Sequence, residues 1–167
     1  MRREVRRWLL LSGLASALAC AGARADSTPD LSAFAELGPL TAGFPELGGA
    51  LPPGQGVGSS EATLVQNGSD NRAIAYQYGG YNSLELQQTG SGNVAALAQL
   101  GLYNSISLIQ AGDGNQAAIG QAGTYNSAQV QQVGINNYVQ ILQMGNGLKV
   151  SVTQNGSNQV ATVVQRN

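Results

Sequence analysis

Between Ser59 and Asn167 a glutamine returns at every eleventh position: Gln66, Gln77, Gln88, Gln99, Gln110, Gln121, Gln132, Gln143, Gln154 and Gln165. Glycine follows two places later at Gly68, Gly79, Gly90, Gly101, Gly112, Gly123, Gly134, Gly145 and Gly156. Asparagine follows five places after glutamine at Asn71, Asn82, Asn93, Asn104, Asn115, Asn126 and Asn137, and the last two such slots hold Leu148 and Gln159. Proline is absent from the whole stretch. With only 10% charged and 5% aromatic residues, the composition resembles a low-complexity segment without a core. A disordered tract does not keep such a register, so the period predicts a repeat architecture.

Between Asn and the next Gln the pattern alternates. Asn104, Ile106, Leu108 and Gln110 fall on one side, and Ser105, Ser107 and Ile109 on the other. The same inward slots hold Ala117 with Ile119, Val139 with Ile141, and Ala161 with Val163. Period two marks a half-buried strand. The residues between Gln and Asn, such as Ala111-Gly112-Asp113-Gly114, carry turn chemistry. Alternate units are the more alike, since Tyr-Asn-Ser recurs at Tyr81, Tyr103 and Tyr125. The expected fold is all-β: a parallel β-solenoid of five 22-residue strand–turn–strand repeats forming two facing sheets. The repeats start near Ser60, Asn82, Asn104, Asn126 and Leu148, and successive layers stack roughly 4.8 Å apart.

That stacking predicts vertical files of amides. Gln66, Gln88, Gln110, Gln132 and Gln154 make one, and Gln77, Gln99, Gln121, Gln143 and Gln165 a second. Asn71, Asn93, Asn115 and Asn137 make a third, and Asn82, Asn104 and Asn126 a fourth. A primary amide donates at one end and accepts at the other, so each can bond the layer above and the layer below. The glycines are expected to sit in turns, taking positive φ or admitting a neighbouring backbone. Neither end strand is followed by a helix, a proline or a charged cap, so the solenoid is expected to stack into an open head-to-tail fibre.

Two other regions precede the repeats. Residues 1–25 read as a secretory signal, with four arginines by Arg7, an apolar run from Trp8 to Cys20, and Ala23-Arg24-Ala25 before a cleavage point at Asp26. Residues 26–58 hold all five prolines and both phenylalanines, and read as a disordered leader and linker, either an export signal or a spacer. The repeat region spans 59–167. Cleavage leaves no Cys, Trp or His, and three bases against eight acids leave a net charge of −5. Disulfides, His-based acid–base catalysis and Cys/His metal sites are excluded. An acidic chain without a basic patch is no nucleic-acid binder, and no transmembrane segment remains.

The repeats resemble the curlin repeat, Ser-x5-Gln-x-Gly-x-Gly-Asn-x-Ala-x3-Gln. Ser60, Gln66, Gly68, Asn71, Ala73 and Gln77 match it with Asp70 in the second Gly slot. Gln110, Gly112, Gly114, Asn115, Ala117 and Gln121 match with Asn104 in the Ser slot. The resemblance implies a non-enzymatic, cofactor-free curli subunit. It would cross the periplasm and the outer-membrane curli secretion apparatus of a Gram-negative bacterium, and would join other curlin subunits at the cell surface in adhesion and biofilm matrix. Gln116–Val130 and the terminal Thr162–Arg166 look like the family's minor, surface-associated nucleator, which is the favoured reading. Gln77–Ser83 looks like the major fibre subunit, which is the alternative.

Other functions find little footing. Beyond Glu61 the acids of the repeat region are Asp70, Glu85 and Asp113. They fall in different layers, so they read as gatekeepers against premature aggregation rather than as a catalytic carboxylate pair. The Tyr81, Tyr103 and Tyr125 column reads as a stacked aromatic ladder ahead of a ligand site. A monomeric ligand- or ice-binding solenoid is the remote alternative, and the threonines do not align into the array ice binding needs.

Overall fold

The computed structural model describes residues 58–167 and, further up the chain, the backbone of two short strands, β1 (Trp8–Leu9) and β2 (Ser16–Cys20). The signal segment, apart from those two strands, and the leader up to residue 57 lie outside the described residues. From Glu61 onward the chain is strand and two-residue turn without interruption: β3 (Glu61–Ser69), β4 (Arg72–Gly80), β5 (Ser83–Ser91), β6 (Val94–Leu102), β7 (Ser105–Asp113), β8 (Gln116–Thr124), β9 (Ser127–Ile135), β10 (Tyr138–Asn146), β11 (Lys149–Ser157) and β12 (Val160–Arg166).

Odd and even strands separate into two six-stranded sheets, ordered β1-β3-β5-β7-β9-β11 and β2-β4-β6-β8-β10-β12. Every pairing among β3–β12 is parallel and joins equivalent positions of successive repeats, as in Gln66 with Gln88 and Gln99 with Gln121. This is the five-turn parallel solenoid that the sequence period predicts. β1 and β2 differ, pairing antiparallel with β3 and β4.

The core is a thin apolar layer between the sheets. Leu84, Leu86, Ile106, Leu108, Ala128 and Val130 face Ala95, Leu97, Ala117, Ile119, Val139 and Ile141 across it. Each rung contributes two apolar side chains from each sheet, too few to close a core alone, so burial comes from stacking.

Two expectations change in detail. The strands run through the glycines, so the turns shrink to pairs such as Gly114-Asn115. The nine glycines therefore stand inside the strands, near their ends, and not in the turns. Their φ values still lie between 105° and 140°, and a β-carbon on Gly112 would collide with the Gly134 carbonyl oxygen of the next rung. Only glycine allows the parallel backbones to close up there. The sheets also differ outside. β5 alternates buried and exposed as predicted, whereas β4, β6 and β8 are buried on both faces. Their outward slots hold Ile74, Tyr76, Ala96, Ala98 and Ala118 where β5 and β7 hold Glu85, Gln87, Ser107 and Ile109.

Candidate functional site

The two glutamine files run the height of the solenoid. Gln66 donates Nε2–H to Gln88 Oε1 at 2.6 Å, Gln88 to Gln110 at 2.7 Å, and Gln110 to Gln132 and Gln132 to Gln154 at 2.8 Å. In the facing sheet Gln77 donates to Gln99 at 2.8 Å, Gln99 to Gln121 at 3.1 Å, and Gln121 to Gln143 and Gln143 to Gln165 at 2.8 Å. The six glutamines from Gln88 through Gln143 at these slots are fully sealed from solvent. All bonds run the same way, from each rung to the next one along the chain.

Each glutamine from Gln77 onward also donates to a backbone carbonyl earlier in the chain, as Gln88 does to Arg72 O at 3.2 Å and Gln110 to Val94 O at 3.1 Å. That carbonyl belongs to the first residue of a strand in the opposite sheet. The glutamines therefore tie the sheets together as well as the rungs, so both amide hydrogens and the acceptor oxygen are used. Sequence spacing places the file, but the bond across the core depends on how closely the sheets approach, which no residue pattern encodes.

The asparagines work through the backbone. Asn71 Oδ1 accepts the Asn93 backbone N–H at 3.0 Å, and the pattern repeats from Asn93 to Asn115, Asn115 to Asn137, Asn82 to Asn104 and Asn104 to Asn126. Asn115 Nδ2 bridges the Ala111 and Gly134 carbonyls, and its equivalents do the same. Each asparagine thus joins the strand it leaves to the strand above. Ser60, absent from the predicted asparagine file, stands at its foot, and its hydroxyl accepts the Asn82 N–H at 3.1 Å.

The residue before each of these slots is left-handed. Asp70, Tyr81, Gly92, Tyr103, Gly114, Tyr125, Asn136, Gly147 and Asn158 have φ between 54° and 69°. Tyrosine is strained there by about 1 kcal/mol. At Tyr81, Tyr103 and Tyr125 the rings stack with centroids 4.8 Å apart and planes within 2°, contacts that offset the strain.

Asp70, Glu85 and Asp113 are exposed and stand in three different rungs, Asp70 in a turn and Glu85 on the outer face of β5. Asp113 accepts the Ser91 backbone N–H at 3.1 Å. Burial first, and Tyr78 second, raises the Tyr76 phenol above its ordinary value. Among the described residues there is no group of three or more His, Cys, Asp or Glu able to hold a metal, and no helix long and apolar enough to cross a membrane.

No curated protein and no solved structure matches the chain. The family model of the curlin associated repeat matches three times, at residues 59–90, 81–112 and 103–134. Each match begins one strand–turn–strand repeat after the last, in phase with the rungs. On these repeats, the chain belongs to the curlin family.

Proposed function

We propose that this chain is secreted after cleavage before Asp26 and is built into curli as the minor, surface-associated nucleator that templates the major subunit. Curlin proteins are structural amyloid subunits that assemble with one another into extracellular fibres of Gram-negative bacteria. The observation that carries the reading is the unbroken run of the two glutamine files through five rungs, a pattern that repeats at each layer and therefore templates a further one. Cleavage removes β1 and β2 and frees β3 and β4 for pairing. Residues 26–58 serve export, and Asp70, Glu85 and Asp113 restrain assembly until the cell surface is reached. Adhesion and biofilm matrix follow from the fibre.

Purified processed chain is expected to convert from soluble protein to fibres whose diffraction carries the inter-strand reflection at about 4.8 Å. Traces of it are expected to seed the major subunit on cells lacking the nucleator. Protein that stays monomeric at high concentration for days overturns the fibre reading. Fibres that fail to seed overturn the nucleator role and leave the major-subunit role.

A further inference from the structure

The two outer rungs present different chemistry. In both files each glutamine up to Gln143 donates toward the next rung along the chain, so the β11–β12 rung offers Gln154 and Gln165 Nε2 upward, and the β3–β4 rung offers Gln66 and Gln77 Oε1 downward. These fit: a second copy whose β3–β4 rung lies on β11–β12 continues both glutamine files in register. Gly156 likewise continues the file that runs through Gly68 and Gly134.

The asparagine files do not both continue. In the interior, an asparagine Oδ1 accepts the backbone N–H of the equivalent residue one rung on, ending with Asn126 to Leu148 and Asn137 to Gln159, both at 3.0 Å. Gln159 keeps an amide, and its Nε2 reaches back to Asn155 O at 3.4 Å as Asn137 Nδ2 does to Val133 O. Leu148 has no acceptor. The N–H of Ser60 in an incoming copy arrives over an aliphatic side chain. A backbone N–H left unpaired in a closing interface costs about tenfold in the equilibrium.

We propose that the joint between two copies of this chain is the weak layer of the assembly, with its strength set by residue 148. The β3–β4 face accepts a partner rung bearing asparagine at both slots more tightly than it accepts this chain's own β11–β12 rung. This rests on the stacking reading above and adds the polarity of the junction and its limiting residue.

Leu148→Asn restores the residue found at 82, 104 and 126, so the variant keeps the fold. The soluble concentration left at equilibrium with its fibres is expected to fall about tenfold. Leu148→Ala and Gln159→Asn are expected to stay within about twofold of the parent. Imaged singly, Leu148→Asn seeds fed parent protein are expected to grow faster at one end only, because the variant residue is displayed on the β11–β12 face alone. A general gain in subunit stability does not produce that asymmetry. Equal growth at both ends, or an Ala variant that matches the Asn variant, overturns the proposal. If the parent forms no fibre, the stacking reading falls and this inference with it. If fibres form but ignore residue 148, this inference alone falls.

Discussion

A buried glutamine in this fold is held at three points. Gln110 accepts from Gln88 at 2.7 Å and donates to Gln132 at 2.8 Å and to Val94 O at 3.1 Å. Gln110→Ala strands a donor, an acceptor and a carbonyl in a site sealed from water, each costing about 1–3 kcal/mol. Ser107 points outward from the same strand, and Ser107→Ala is expected to change stability by less than about 0.5 kcal/mol. Assembly rates of the two variants, measured side by side, check this: Gln110→Ala is expected to be the slower by at least tenfold, and equal rates would mean that the file does not hold the rungs. The need for amides at these slots was legible in the strict spacing of the glutamines, because alternation put them on the inward side with Ile and Leu. The third bond was not legible, because it depends on the distance between two sheets.

At the scale of a strand, the glycines show what the repeat imposes on its backbone. Gly112 has φ of 110° near the end of β7, and a β-carbon there would run into the Gly134 carbonyl. Gly112→Ala combines a strained conformation, about 1–3 kcal/mol, with a collision against backbone that cannot give way. Gly92 also has positive φ, at 65°, but an added β-carbon there meets nothing within 4 Å. Gly92→Ala is expected to carry only the strain, as Asn136 and Asn158 already do at equivalent turns. Fibre yield under identical conditions is expected to fall much further for Gly112→Ala than for Gly92→Ala, and the reverse order would contradict the close approach of the backbones. Turn composition had pointed to glycine as the corner residue. The corners instead belong to the left-handed residues two places later, and glycine serves the contact between layers.

As a whole molecule the solenoid is close to one-dimensional, each rung touching only its neighbours. Removing residues 104–125 takes out one complete rung and joins Tyr103 to Asn126, so every file closes over the gap. That deletion is expected to assemble like the parent. Removing only 104–114 keeps the glutamine, glycine and asparagine phases but moves β8 into the sheet of β5, where its outward Ala118 and Gly120 stack on Glu85 and Gln87. It also interrupts the tyrosine ladder. This deletion is expected to assemble more slowly and to yield less fibre, as sedimentation of fibre from solution can measure. Equal assembly would mean that the true unit is a single strand with its turn.

The repeat length, the alternation and the identity of the amide files could be read from the order of residues, because they are periodic and local geometry turns each period into a face. The division into two sheets was also visible, since Tyr-Asn-Ser returns only in alternate units, at Tyr81, Tyr103 and Tyr125. Three features waited for the packed structure: the glutamine bond across the core, the collision that reserves the strand positions for glycine, and the burial of the outer face of β4, β6 and β8. The first two are set by the distance between backbones that are remote along the chain, a quantity that arises only when the rungs close on one another, and the third by packing against the outside of one sheet, which the repeat does not encode.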